Sequence, residues 1–405
     1  MISTRDGVRA AVLAFWLLPV LLACDGPRAT ANAAFDAGQS AVLELSVHGG
    51  NDADPSAPEF SEVLDLSITR DGSLWVIDAA RPVGVVQHPG VYVFDSTGRF
   101  VRAVGRRGDG PGEYQTPFGL AQLADGRIAV RDNATPTRVL VFHHTGAYDT
   151  TWTLPGVMGR IGALDAIRVA ADSSVWLLRA LRPSRSGPST AFVRLTASGE
   201  FVGDVTLPTL PQLDAPTLRV TRTLPSGATS TVGIALPHQP AARWAFSPRG
   251  YFLTGRSDEY QLTPQPWTAS AELPPALVHE RSPVVLTEAE RADISASVDS
   301  QIRRLGEPGI RPPPSARAKP LINRVVVADD GRVFVRVNAP SQRVGRQWVE
   351  PVVFDVFDAT HRYLGTFNVP TGFRLVRVVG DRVWGVYRDQ DGVEVVQRYR
   401  VEFLG

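Results

Sequence analysis

The sequence predicts an all-β protein, a ring of six four-stranded antiparallel blades closed by its own two ends. Three observations carry this prediction. A unit of short apolar runs separated by turn residues repeats along the chain. Two kinds of turn, Asp-Gly and Thr-Gly in the clearest units, come in the same order each time. The last unit is one strand short, and a strand with no hairpin partner stands at the other end. Glycine and aspartate supply turn geometries that other residues resist, so runs punctuated in this way read as antiparallel hairpins. One such unit cannot hide its own apolar faces and must stack on neighbours.

Composition agrees and narrows the function classes. Of 405 residues, 36 are glycine and 32 proline, which favours many turns over long helices. The formal charge is +1, and without residues 1–23 the chain carries 40 basic and 40 acidic residues, so nucleic-acid binding loses its electrostatic footprint. Lys319 is the only lysine. Positive charge is therefore arginine, the better group for gripping carboxylates and phosphates, although a GC-rich genome would give the same bias. Cys24 is the only cysteine, so no internal disulfide forms.

Residues 1–23 place Arg5 and Arg9 ahead of an apolar run from Ala10 to Leu22, too short and too interrupted by Pro19 for a membrane span. They read as an export signal peptide. Leu21-Leu22-Ala23-Cys24 resembles the bacterial lipobox, which implies lipidation of Cys24 and a protein held at a membrane of the bacterial cell envelope. The alternative is a plain secretory peptide with an incidental cysteine. Residues 24–39 read as a flexible tether, and 40–405 as one domain.

Ala41–Val47 alternates like a strand whose partner lies at the far end of the chain. The first unit runs from Val63 to Val104 with turns at Asp71-Gly72 and Thr97-Gly98. The second, Gly105 to Thr153, is the cleanest copy, with turns at Asp125-Gly126 and Thr145-Gly146. The third spans Ala166 to Leu207, and an insertion at 208–240 delays the fourth, which begins RWAFSPRGYFLTGR and continues EYQL. A second insertion occupies 263–320. Within it Thr287 and Glu290 form a capping box, Ile294, Val298 and Ile302 repeat every four residues, and Gly306 stands at the expected stop, which predicts one helix. The fifth unit runs from Ile322 to Val369, and the sixth, Arg374 to Phe403, stops after three strands. The strand at 41–47 completes it, leaving no sheet edge at the closure.

Six units with a shared last blade make a six-bladed β-propeller. The run GRRGDGPGEYQTPFGLAQLADGRIAV…RVLVF resembles the NHL-type repeat and the bacterial six-bladed propeller lipoproteins with a G-x-G-P-G-E-[FY] connector. That resemblance implies a fold and an envelope location, not a reaction. The connector lacks the Gly-Lys-[Ser/Thr] ending of a phosphate-binding loop and precedes a strand, so Glu113 is expected to accept backbone N–H groups of a structural turn.

In propellers the first strand of each blade lines the central channel, and the second returns to the end where the first began. Arg168, Arg243, Arg324 and Arg377 fall near the starts of the first strands of blades three to six, and Arg179, Arg256, Arg336 and Arg388 near the ends of the second. Asp65, Asp78 and Asp132 occupy corresponding places in blades one and two. Two readings stand side by side. The arginines clamp an anionic or zwitterionic ligand at the channel mouth, or they pair with channel carboxylates and keep buried charge satisfied.

The histidines show no close ligand spacing, and no G-x-S-x-G elbow exists, which argues against zinc and against an α/β hydrolase. The expectation is a non-enzymatic, lipid-anchored module that binds a protein, peptide or small anion at the end where the first strands begin, with no cofactor. The alternative is a metal-dependent lactonase or lyase, by resemblance to propellers of that shape, with Asp65, Asp78 and Asp132 as oxygen ligands for Ca²⁺ or another divalent ion.

Overall fold

The computed structural model describes residues 36–49, 58–79, 90–134, 136–154, 167–180, 190–213, 218–223, 229–234, 236–268, 271–305, 310–389 and 391–404. Cys24, the leader, the loop at 181–189 and Gly306 lie outside them. Six blades of antiparallel strands follow one another around a ring. Blade six is built from Phe373–Val379, Arg382–Arg388 and Glu394–Arg400, with Val42–His48 as its outer strand, antiparallel to the last of these. The two ends of the chain thus close the ring, as the missing strand implied.

The turns repeat as the sequence requires. Gly126 and Gly146 have φ of +92° and +87°, a region that a Cβ disfavours. The Asp-containing turns between first and second strands of blades one, two, three and five are tied by their own carboxylates, with Asp125 accepting from the Arg127 N–H at 3.0 Å and Asp330 from the Arg332 N–H at 3.0 Å. Apolar clusters fill every gap between adjacent blades. Trp75, Leu120 and Val130 pack between blades one and two, and Leu66, Trp384 and Val396 across the closure between six and one. Alternation along each strand sends successive side chains into the two flanking gaps, so each blade serves two clusters.

Blade four takes its outer strands from Gln261–Pro266 and Leu277–Val278, so the second insertion begins after 278 and not at 263. The expected helix is present as Glu288–Arg304, with the Thr287 hydroxyl accepting from the Glu290 N–H at 3.2 Å and the Glu290 carboxylate accepting from the Thr287 N–H at 2.9 Å. The first insertion is more than a loop. Leu218–Thr223 and Thr229–Ile234 form a hairpin whose Leu218, Val220 and Ile234 pack on Val298 and Ile302 of the helix. Lys319 is buried beside them, its ammonium 2.7 Å from Glu350 and 3.8 Å from Glu290. A further hairpin, Gln342–Val344 with Gln347–Val349, reaches the same helix through Trp348 Nε1 to Asp293 at 3.0 Å.

All three additions leave the ring at connections from a fourth strand to the next first strand, or from a second strand to a third. In a meander these connections share one end, where the first strands begin. The opposite end carries the short turns. At the rim, Gln39–Ser40, of which only Gln39 was expected within the tether, pairs in parallel with Tyr363–Val369 as a fifth strand of blade five.

Candidate anion site in the channel

A cavity of about 580 Å³ occupies the channel, walled by the first strands of all six blades. That volume suits a small molecule. It runs from the level of Arg243 and Asn323 to the exposed turn residues Arg70, Ala124, Ala171 and Asp329. The cavity therefore reaches the turn end of the ring. The expected mouth lay at the other end, where the hairpins and helix are gathered.

Four of the eight arginines singled out in the sequence, Arg168, Arg243, Arg324 and Arg377, stand in this wall. Arg377 is paired. It donates to the Leu120 carbonyl at 2.9 Å and lies 3.4 Å from the Asp65 carboxylate. The other three are not. Among the described residues, Arg168 and Arg324 have no hydrogen-bond or ion-pair partner, and Arg243 has only a 3.3 Å contact to the Ala242 carbonyl, its buried ε N–H being left without an acceptor. Arg324 is exposed to the water of the channel, and Arg168 and Arg243 are half-buried.

The walls make these cations costly. Burial, then repulsion from Arg377, pushes the Arg168 guanidinium down to about 10, with Asp65 and Asp329 opposing. Burial, with repulsion from Arg374 and Arg336, lowers Arg324, and burial alone lowers Arg243. Arg336 sits directly opposite Arg324 in the antiparallel ladder of blade five and also lacks a partner among the described residues. Like charges across a strand pair destabilise a sheet unless something negative lies near.

The remaining arginines are placed elsewhere. Arg256 is held by Asp258 at 2.8 Å and Glu259 at 3.0 Å, and Arg388 by Glu394. Arg179 pairs in the ladder with Ala191, while its side chain lies outside the described ones.

The three aspartates are apart, each with its own donors. Asp78 accepts from the N–H groups of Ser61 at 3.0 Å and Glu62 at 2.8 Å. Asp132 does the same one blade on, with Gln115 at 3.0 Å, Thr116 at 2.6 Å and the Arg138 guanidinium at 3.0 Å. These carboxylates staple the start of the first strand to the end of the second. Asp65 accepts from the Leu66 and Leu120 N–H groups, both at 2.9 Å. The metal set that the alternative reading required is thus not assembled, and among the described residues no group of three or more metal-ligating side chains is. Glu113 behaves as expected, accepting from the Gly110 N–H at 3.0 Å and pairing with Arg106 at 2.7 Å.

Sequence reading missed the apolar half of the wall. Trp244, Phe246 and Phe192 line the cavity from blades three and four. The signal was present in Arg243-Trp244-Ala245-Phe246, where alternation separates the cation from two aromatic rings on the opposite face. Asp329, in the turn of blade five, was also overlooked.

Fold and site together define a six-bladed β-propeller with a cationic channel. A family model, DUF5128, described as 6-bladed beta-propeller, matches residues 85–121, a range that takes in the third and fourth strands of blade one and reaches the first strand of blade two. No curated protein matches the chain. Among solved structures, the "putative exported protein" of Bacteroides fragilis NCTC 9343 shares 13% identity over 91% of this chain and 97% of its own, with a TM-score of 0.46. A protein of unknown function from Dyadobacter fermentans DSM 18053 shares 10% over 90% and 99%, with a TM-score of 0.42. Virginiamycin B lyase from Staphylococcus aureus, solved as an inactive form with quinupristin, shares 11% over 84% and 95%, with a TM-score of 0.39. At these identities, with TM-scores below 0.5, the likenesses carry no argument about this chain.

Proposed function

We propose that the protein is a binding module whose channel takes up a small anion bearing a carboxylate or phosphate. The observation that carries this is Arg324, a cation open to the channel, facing Arg336 across the ladder, with no acidic partner among the described residues. Guanidinium groups gathered in one channel repel one another, and a bound anion with parallel oxygens offsets that repulsion through charge-assisted hydrogen bonds. Arg168 and Arg243 extend the same character along the channel.

The sequence of the leader adds a location. Residues 1–24 support export and attachment of the propeller to an envelope membrane through lipid on Cys24. Among the described residues no helix is long and apolar enough to cross a membrane.

The test is calorimetric titration of the soluble domain with citrate, acetate and inorganic phosphate, repeated with Arg324→Gln. Binding by the wild type and at least a tenfold loss in the variant, with an unchanged ligand-free melting temperature, is the expected result. Absence of heat and of thermal shift with every anion would overturn the reading.

A further inference from the structure

The wall of the cavity combines cations with aromatic rings, and this combination deepens the anion reading on which it rests. Arg168 and Phe192 come from blade three, Trp244 and Phe246 from blade four, and Arg324 from blade five. Trp244 is half-buried, and among the described residues its indole N–H has no acceptor. The ring is fixed nevertheless, edge-on to Phe192 and to Phe252, with centroids 5.9 Å away in both cases and interplanar angles of 86° and 83°. Two phenylalanines thus hold a tryptophan whose remaining surface faces the cavity.

Cation and shelf share one gap. Ile167 and Val169 pack toward blade two, so alternation turns Arg168 to the other side of its strand, with Ala170, which belongs to the aromatic cluster between blades three and four. A hydrated inorganic anion would gain nothing from that shelf. A flat apolar body would, through ring stacking and release of water from apolar surface. Asp329 lines the same cavity near its turn end and carries no hydrogen bond or ion pair among the described residues. It disfavours a second negative charge there.

We infer that the preferred ligand is an aryl monocarboxylate, its carboxylate held by Arg168 and Arg324 and its ring laid against Trp244. The cavity volume of about 580 Å³ accommodates a bicyclic ring with its acid group.

The experiment titrates the wild-type domain with naphthalene-2-carboxylate, benzoate, acetate, inorganic phosphate and uncharged 2-naphthalenemethanol. Naphthalene-2-carboxylate should bind at least about tenfold more tightly than acetate or phosphate, and more tightly than the alcohol. Trp244→Leu should abolish the preference for the ring while acetate binding persists, and Arg168→Gln should weaken every carboxylate. Should Trp244→Leu fail to fold, the wild-type indole N–H resonance of Trp244, assigned by its loss in Trp244→Phe, must shift with naphthalene-2-carboxylate and not with acetate. Equal affinities for all anions, or a ring preference that survives Trp244→Leu, would overturn the inference and leave the anion site standing. Failure of every anion to bind would remove both.

Discussion

Asp65 of blade one and Arg377 of blade six meet at 3.4 Å beside the seam where the two ends of the chain close the ring. Asp65 also accepts the Leu120 N–H of blade two, so one carboxylate ties three consecutive blades. Removing one partner of a mostly buried pair leaves the other charge stranded. Asp65→Ala should therefore cost about 3 kcal/mol, and a double-mutant cycle with Arg377→Gln should give a favourable coupling. Additive losses in denaturant melts would refute the pairing.

Arg324→Gln should behave in the opposite way. Its guanidinium is opposed by Arg336 and repelled by Arg374, so neutralisation should leave stability unchanged or raise it by up to about 1 kcal/mol. A fall in melting temperature comparable to that of Arg377→Gln would show that Arg324 serves the fold.

Anion affinity should depend on pH at the alkaline end. Arg168 is charged below about 10, where its lowered value lies, and neutral above it. Binding should be full at pH 8, decline as the pH rises through 10, and be accompanied by proton uptake in that range, because a bound anion favours the charged form. Isothermal titration in two buffers of different ionisation enthalpy measures that uptake, and an affinity flat to pH 11 would show that the Arg168 guanidinium keeps its proton in the channel.

Ring closure depends on Val42–His48, whose Val47 is buried between blades six and one. Deletion of residues 1–35 should leave the cooperative melt intact. Deletion of residues 1–49 should abolish it, since blade six would lose its outer strand and expose an apolar edge. Near-UV circular dichroism distinguishes the two.

Asp132 bears on the divalent-ion alternative. As a staple, its replacement by alanine should cost about 2–4 kcal/mol, by leaving two backbone donors unpaired and taking from Arg138 its closest carboxylate. Chelator should move the melting temperature of the wild type by less than about 1 °C, whereas a resident ion would have to be lost on unfolding and its removal would lower it further.

Much of this architecture could be read from turn chemistry. Asp125-Gly126 and Thr145-Gly146 need particular backbone angles, local properties that a sequence displays directly, and the one-strand deficit at Arg374–Phe403 announced the closure. The site was legible only in part. Arg168, Arg243, Arg324 and Arg377 were found by their place in the repeat, but whether each meets a carboxylate depends on the gap between blades, which no local pattern encodes. Asp78 and Asp132 looked like metal ligands because a capping carboxylate and a chelating one are the same residue type. The hairpin at 218–234 escaped notice because Leu218 and Val220 acquire their meaning only against Val298 and Ile302, about eighty residues away.

Lys319 has its amine enclosed by Glu350, Glu290, Ser341 and the Ala339 carbonyl. Because it is the chain's sole lysine, the folded propeller offers solvent no side-chain amine. Amine-acylating reagents would spare the Lys319 side chain in the intact body and reach it only once the helix and the hairpin of blade five had parted. The molecule thus carries one side-chain amine whose acylation reports unfolding.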